Sequence, residues 1–151
     1  MRVVVQRVSE GGVFIEKENY SAEIGIGFVI LLGVKTGDTE VDADFLAAKC
    51  AGLRVFEDEN EKMNLSIKDV NGEALIISQF TLYGDAQRGN RPSFSDAARP
   101  ETAIPLYEYF VEKMREHIGA GKVKTGKFGA MMSVKIINDG PVTIIIDSSR
   151  N

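Results

Sequence analysis

Two short polar segments that interrupt apolar stretches hold the residues best suited to bind or cleave a polar ligand. The first, Ser78-Gln79-Phe80-Thr81-Leu82, continues the apolar run Ala74-Leu75-Ile76-Ile77. The second, Asn138-Asp139-Gly140-Pro141-Val142-Thr143, separates two further apolar stretches. Residue types alone favour simple interpretations, a strand that leaves the core and a hairpin turn. About 5–6% of X-Pro bonds are cis, and the bond before Pro141 is a candidate.

The sequence contains few of the residues that form conventional catalytic centres. The chain has a single His, His117, and a single Cys, Cys50, so we expect neither a Cys/His metal site nor a cofactor. His117 falls near the end of a predicted helix, where the helix dipole favours an exposed imidazole. Cys50 lies on the apolar stripe of another helix, where a buried thiol is inert. The run Gly121 to Lys127 resembles a phosphate-binding loop, but Phe128 stands where that loop needs Ser or Thr.

Apolar periodicity predicts the elements of the first half of the chain. Gly11-Gly12 separates two β-like stretches and predicts a hairpin turn between them. Ile24 to Val34 predicts a buried strand, and Asp38 or Thr39 caps a helix that ends near Gly52. Asn71-Gly72 predicts a tight hairpin that leads into a strand over Glu73 to Tyr83. In that strand, Ser78 and Phe80 share one face, and Gln79 and Thr81 share the other.

The second half begins with a loop over Gly84 to Arg99, of the kind that often carries function. A second helix then starts with Pro100 or with Thr102 as cap, which places Pro105 in the first turn. Asn138 to Pro141 predicts a turn into a last strand. Two helices among seven or more strands predict an α+β fold, a β-rich single domain of mixed sheets with two main helices over residues 1–151.

The chain shows no membrane span. Its longest apolar run, Gly25 to Val34, is far shorter than the roughly 20 residues that cross a bilayer. The N-terminus MRVVVQRVSE lacks the pattern of a signal peptide. We therefore expect a cytoplasmic protein without membrane partners.

The two polar segments resemble the signature motifs of the D-aminoacyl-tRNA deacylases, also called D-tyrosyl-tRNA deacylases. Further resemblance lies along essentially the whole chain, in Val5-Gln6-Arg7-Val8, Gly89-Asn90-Arg91-Pro92-Ser93-Phe94 and Gly126-Lys127-Phe128-Gly129-Ala130. The resemblance implies an enzyme that hydrolyses the ester between a D-amino acid and the 3′-terminal adenosine of tRNA. An activated ester needs a positioned water and oxyanion stabilisation by backbone N–H groups rather than a strong nucleophile.

The resemblance also implies roles for individual residues. The motif around Ser78 and Phe80 supports the ester, while the substrate's own 2′-hydroxyl helps to activate water. The family resemblance also offers Thr81 as a covalent nucleophile, but nothing in the sequence supplies the adjacent base that this role needs, so we favour structural or hydrogen-bonding roles for Thr81 and Gln79. Phe128 lines the adenosine pocket.

The same resemblance implies a homodimer in which a cis Gly140-Pro141 turn reaches from one subunit into the pocket of the other. Arg7 braces that turn. Backbone atoms of the turn form a wall that excludes every L side chain, which is a chiral proofreading device. Glycine has no side chain to exclude, so we also expect hydrolysis of mischarged glycyl-tRNA(Ala).

Two alternatives belong to other classes of protein. A dimeric binding module would capture aminoacyl or nucleoside groups without turnover, and the absence of a catalytic His, Cys or metal leaves this alternative open. An editing domain would work beside a synthetase and form a stable complex with it.

The net charge of −4 argues against a protein that coats nucleic acid. Asp38 to Glu61 holds eight acidic and two basic residues, which leaves 14 acidic and 16 basic residues elsewhere. This distribution permits an enzyme that grips one end of a tRNA. Candidate contacts with its acceptor stem are Arg88, Arg91, Lys113, Arg115, Lys122, Lys124 and Lys127.

Overall fold

A computed structural model describes residues 1–149, which form eight strands, two α-helices and three short 3-10 helices. The strands and α-helices are β1 Arg2–Ile15, β2 Tyr20–Ile24, β3 Gly27–Gly33, α1 Glu40–Gly52, β4 Phe56–Glu57, β5 Met63–Leu65, β6 Glu73–Ser78, α2 Pro100–Ile118, β7 Val123–Thr125 and β8 Ser133–Asp147. The 3-10 helices are Glu16–Glu18, Phe80–Tyr83 and Ala120–Lys122. This architecture confirms the α+β fold class.

Six strands form one mixed sheet. Its order is β2-β1-β3-β6-β7, with β8 on the other edge of β1. Strand β1 pairs antiparallel with β2, β3 and β8, whereas β3, β6 and β7 run parallel to one another. Strands β4 and β5 form a separate two-stranded sheet. Strand β6 is therefore an interior strand. Because it is parallel to β3, the carboxyl ends of the two strands lie side by side.

Both α-helices pack on one face of the large sheet. Leu46 of α1 and Phe110 of α2 are fully buried against Phe28 and Ile30 of β3. Thr39 caps α1 as predicted, because its side chain accepts from Val41 N at 3.3 Å and Asp42 Oδ2 accepts from Thr39 N at 2.8 Å. The opposite face has a smaller core of apolar side chains from β1, β2, β3 and β6, namely Val8, Val13, Ile15, Ile24, Val29, Leu75 and Ile77.

The lone His and Cys have the environments expected of them. His117 is exposed near the end of α2. Cys50 is buried, and burial raises the pKa of its thiol to about 12, so the thiol stays protonated and inert. The expected position of Pro105 in the first turn of α2 is wrong. The helix begins at Pro100, so Pro105 lies in the second turn.

The predicted hairpin turn at Gly11-Gly12 is wrong, since β1 runs without a break through both glycines. A Cβ atom at Gly11 would lie 2.7 Å from Val29 Cγ2 and 3.2 Å from Ile24 Cγ1. Glycine is therefore present because the second core is tightly packed there, not because the chain reverses. The reversal comes later, at Glu16–Glu18.

The predicted tight hairpin at Asn71-Gly72 is also wrong. Strand β6 follows these residues but pairs with β3 and β7, both parallel to it, rather than with the preceding strand. Asn71 does adopt the left-handed conformation, with φ 54°, and Gly72 N donates to Ile67 O at 2.8 Å. The turn therefore leads into an interior strand of the sheet. The residue types of a turn do not show which strands the next strand will pair with.

Candidate active site

The first polar segment lies where β6 ends. The strand stops at Ser78, Gln79 N donates to Leu32 O at 2.8 Å, and the chain then enters the 3-10 helix Phe80–Tyr83, hereafter the Phe80 turn. The alternation of faces predicted for this segment is therefore wrong beyond Ser78. A strand would place successive side chains on opposite faces, whereas the Phe80 turn winds them around its axis.

The Phe80 turn leaves two backbone donors available. Leu82 N donates to Gln79 O at 3.2 Å, and Gly84 N donates to Thr81 O at 2.9 Å. Among the described residues, the N–H groups of Phe80 and Thr81 have no acceptor. Unpaired donors at the start of a helical turn are suited to bind a negatively charged oxygen.

The side chains of Gln79 and Thr81 bond to each other. Gln79 Nε2 donates to Thr81 Oγ1, and the Thr81 side chain is exposed to solvent. This bond occupies a lone pair of the hydroxyl oxygen that a nucleophile would use. Thr81 donates to no carboxylate or imidazole in the part of the chain that the structure describes. The geometry is that of a hydrogen-bonding residue, not of an activated nucleophile.

Ser78, Gln79 and Phe80 line a cavity of about 320 Å³, hereafter the Ser78 pocket, together with Phe128. The remaining lining residues are Ile77, Gly129, Ala130, Met131, Met132 and Val134. None of these side chains is an acid or a base. The structure thus brings four of the predicted site residues to one apolar pocket whose polar groups are a hydroxyl, an amide and backbone atoms.

Phe128 is held from behind by α2. Its ring meets that of Tyr107 edge to face, with centroids 6.1 Å apart. Burial raises the pKa of Tyr107, so the phenol stays neutral and donates to Ile76 O at 2.8 Å. Tyr107 was not among the predicted site residues. Its position beside Leu106 on the buried stripe of α2 was the one signal in the sequence that could have indicated it.

Phe80 is held from the other side by Phe94. The Phe80 side chain is 56% exposed, and its ring meets the Phe94 ring edge to face at 5.2 Å. Sequence reasoning assigned no role to Phe94. The residue belongs to the segment Gly89 to Phe94 that carried part of the family resemblance, and this was the available signal.

The second polar segment is a bulge within β8, and the predicted turn into a separate last strand is wrong. Gln6 of β1 pairs with Thr143, and Val8 pairs with Asn138. The four residues 139–142 therefore lie opposite the single residue Arg7. We call them the Gly140 bulge. Both halves of β8 pair with β1 in the same direction, and a bulge of this kind directs backbone atoms out of the sheet.

Arg7 anchors the Gly140 bulge. Only 6% of this residue is exposed, and its Nη1 and Nε donate to Val55 O at 2.7 Å and Asp139 O at 3.0 Å. The Asp139 carboxylate lies 3.5 Å from Nε. Gly140 has φ 127°, and the Gly140-Pro141 bond is cis, as the resemblance implied. This φ is one that L side chains rarely adopt, and a Cβ atom at Gly140 would also lie 3.2 Å from Arg7 Nη2 and 3.0 Å from Val142 N, so both backbone conformation and packing favour glycine there.

The two polar segments do not meet within one chain. From β8 to β6 there are three strand spacings, or about 14 Å along the sheet. Arg7, opposite the Gly140 bulge, pairs with Phe28 and thus lies level with Ala74, four residues before Ser78. No residue of the Gly140 bulge lines the Ser78 pocket.

Residues 1–149 contain no group of three or more His, Cys, Asp or Glu side chains that could hold a metal ion. Neither described α-helix is long and apolar enough to cross a membrane.

Comparison with known proteins agrees with the motifs. The family model described as D-Tyr-tRNA(Tyr) deacylase matches residues 4–147. A D-aminoacyl-tRNA deacylase of Thermotoga petrophila is 57% identical over 99% of both chains, and that of Koribacter versatilis is 56% identical over 99% of both. That of Clostridioides difficile is 52% identical, over 100% of this chain and 99% of the relative.

Two solved structures share the fold. The structure of c-Myc DNA Unwinding Element Binding Protein matches with a TM-score of 0.92 at 40% identity, over 99% of both chains. A probable eukaryotic D-amino acid tRNA deacylase matches with a TM-score of 0.81 at 17% identity, over 97% of this chain and 98% of the other. The second likeness shows the fold alone.

The fold, the apolar pocket and these matches define an α+β hydrolase that acts on the ester bond of aminoacyl-tRNA. Within this class, the chain belongs to the D-Tyr-tRNA(Tyr) deacylase family.

Proposed function

We propose that this enzyme removes D-amino acids from tRNA while leaving L-aminoacyl esters intact, and that it works as a homodimer. One observation carries the proposal. The Ser78 pocket has available backbone donors at Phe80 and Thr81 but no acidic or basic side chain. Such a pocket suits a substrate that is already activated and needs positioning and oxyanion stabilisation.

The hydrolysis then proceeds without a covalent enzyme intermediate. The terminal adenosine lies against Phe128, and the N–H groups of Phe80 and Thr81 face the ester carbonyl oxygen. A water molecule attacks the carbonyl carbon and gives a tetrahedral intermediate whose oxyanion these N–H groups stabilise. The 2′-hydroxyl of the substrate helps to activate that water. The bond between the carbonyl carbon and O3′ then breaks, and O3′ takes up the proton that the attacking water loses, so that the free amino acid and the tRNA leave.

The sheet face opposite the helices supports the dimer. Ile145 of β8 is 63% exposed and pairs across β1 with Val4, which pairs in turn with Leu31 of β3. Directly paired residues lie on the same face, so these side chains form one apolar row. Val4 and Leu31 are half-buried and Ile145 is exposed, so the row leaves apolar area that a second copy could cover.

A second feature of this face is an unpaired polar atom beside the Gly140 bulge. Gln6 Oε1 is buried and has no partner within residues 1–149. Its Nε2 donates to Asn138 Oδ1 at 3.1 Å, and Gln6 pairs with Thr143. A second copy on this face would offer Gln6 a donor and would bring its own Ser78 pocket to the bulge. The site would then be completed in trans by Gly140 and Pro141.

The Gly140 bulge is the chiral wall in this arrangement. When the amino group and ester are fixed, the side chain and α-hydrogen of an L-amino acid exchange places relative to the D form. A rigid wall at the L position rejects every side chain by overlap and accepts only hydrogen. The double anchor of Arg7 on Val55 O and Asp139 O supplies the rigidity.

A deacylation series tests the proposal. We expect D-tyrosyl-tRNA and glycyl-tRNA(Ala) to be hydrolysed, and L-tyrosyl-tRNA and L-alanyl-tRNA to react at least about 100-fold more slowly. This factor corresponds to roughly 3 kcal/mol of steric overlap. Release of the amino acid is measured at equal enzyme concentration. Hydrolysis of L-alanyl-tRNA at the rate of glycyl-tRNA would contradict the wall, and stoichiometric binding without release would identify a binding module instead.

A second expectation concerns Thr81. Because its hydroxyl only accepts from Gln79 Nε2, Thr81→Ala should retain kcat within about tenfold, the scale of one neutral hydrogen bond. Burst kinetics should show no acyl-enzyme in either protein. Complete loss of activity by a variant that keeps its melting temperature and dimeric mass would instead assign the hydroxyl to the reaction.

A further inference from the structure

The long loop between the Phe80 turn and α2 carries two arginines to which the reaction assigns no part. We propose that Arg88 and Arg91 bind phosphates of the single-stranded 3′ end of tRNA, beside the pocket that takes its terminal aminoacyl group. This inference rests on the proposed function and adds the direction in which the RNA leaves the pocket.

The loop has a fixed base. Asp85 N donates to Ser93 O at 2.7 Å, and Ser93 N donates to Asp85 O at 2.8 Å. Asp85 Oδ1 also accepts from Gln87 N at 2.9 Å. The seven residues 86–92 are therefore closed into a loop by paired backbone bonds, and the two arginines lie on that loop.

Contacts at the base place the loop at the rim of the Ser78 pocket. The ring of Phe94 packs edge to face on Phe80, which lines the pocket. The approach is close, because a Cβ atom at Gly84 would lie 2.9 Å from Phe94 Cε1. Arg91 is three residues before Phe94, so their Cα atoms are within about 11 Å of each other.

Charge pairing distinguishes this loop from the other basic residues that the sequence suggested. Arg88 and Arg91 are exposed, and neither pairs with a carboxylate in residues 1–149. The Asp85 carboxylate instead accepts from a backbone N–H group. Of the five other basic residues, which lie on α2 and on residues 122–127, four are paired with acids. These pairs are Lys113 with Glu116, Arg115 with Glu112, Lys124 with Glu73 and Lys127 with Glu18.

The seven basic residues suggested by the sequence thus fall into two groups, the unpaired arginines of the loop and the residues of which most are paired with acids. A phosphate on the α2 side would compete with carboxylates and meet their repulsion, whereas a phosphate on the loop meets two free guanidinium groups. Guanidinium binds phosphate through two parallel hydrogen bonds, and a loop closed at its base loses little freedom on binding. The ligand class is therefore the phosphodiester backbone of unpaired RNA that continues from the terminal adenosine.

The test compares two substrates that differ only in that backbone, D-tyrosyl-tRNA and 3′-O-D-tyrosyl-adenosine. For Arg88→Ala/Arg91→Ala, we expect KM for the tRNA to rise about tenfold, with kcat within about twofold. Kinetics on the adenosine ester should not change. The slope of log(kcat/KM) against log[salt] for tRNA should become shallower by about 1.4, since each single-strand phosphate contact contributes about 0.7.

The matched control, Lys113→Ala/Arg115→Ala, removes two paired charges from α2 and should change neither KM nor the salt slope. If the control raises KM for tRNA and the loop variant does not, the RNA follows α2 and the inference is wrong. An equal loss on both substrates would show damage to the pocket and would also overturn it. Failure of the unaltered enzyme to hydrolyse either ester would contradict the proposed function, a distinct outcome.

Discussion

Replacing Phe80 with proline should lower kcat for D-tyrosyl-tRNA about 10²–10³-fold more than replacing it with alanine. This factor is the usual effect of removing one oxyanion donor. Both substitutions remove the ring and its contact with Phe94, but only proline also removes the backbone N–H. Phe80 is the first residue of the Phe80 turn, where its N–H group has no acceptor among residues 1–149, and Gln79 before it has φ −145° and ψ 82°. Proline is well accommodated at such a position, so the turn should persist.

The comparison separates the two parts of Phe80. Loss of the ring alone removes an edge-to-face aromatic pair worth about 0.5–1.5 kcal/mol, so Phe80→Ala should lose less than about 15-fold. Single-turnover rates at saturating enzyme report the chemical step directly, and circular dichroism with thermal melting checks the fold. Equal rates for the proline and alanine variants would show that the Phe80 N–H group takes no part in stabilising the oxyanion.

Local signals explain why the helices could be predicted from the sequence. The Thr39 cap and the apolar stripe of α2 at Leu106, Phe110 and Met114 are set by residues within a few positions of one another. The apolar character of β3 and β6 is equally local. Composition and order of these elements were enough to predict the fold class. The motif residues of the Ser78 pocket were available through family resemblance, because Ser78, Phe80 and Phe128 lie in segments that the family shares.

Long-range pairing explains what the sequence did not show. Gly11 is fixed by contact with Val29, whose strand begins sixteen residues away. The Gly140 bulge exists because β8 pairs with β1 on both sides of Arg7, more than 130 residues earlier in the chain. Asn138 to Pro141 has the residue types of a hairpin turn, and only the pairing partner distinguishes a turn from a bulge. Tyr107 is similarly placed by tertiary contacts rather than by any motif, and the motif that contains Phe94 does not show that its ring packs on Phe80.

Gly140→Val should abolish hydrolysis of D-aminoacyl-tRNA, by about 100-fold or more, without unfolding the protein. The residue has φ 127°, and an added Cβ atom would meet Arg7 Nη2 at 3.2 Å and Val142 N at 3.0 Å. In the proposed dimer, the valine side chain would displace the Gly140 bulge or fill the space of the substrate's α-hydrogen. Gly37 is the matched control, with φ 95° and nothing within 4 Å of an added Cβ atom. Gly37→Val should lose stability but keep its activity.

Mixing this variant with Phe80→Pro shows whether the Gly140 bulge acts in trans. In the proposed dimer, each variant alone gives two defective sites. In a mixed dimer, one site combines an intact Phe80 turn with the partner's intact bulge, while the other site carries both defects. Random pairing of equal amounts makes half of the dimers mixed, so about a quarter of all sites should be active. We expect co-expressed, differently tagged chains to recover about a quarter of normal activity, and purified mixed dimers about half. If the bulge acts within its own chain, mixed dimers stay inactive, because each chain then carries a substitution that inactivates its own site.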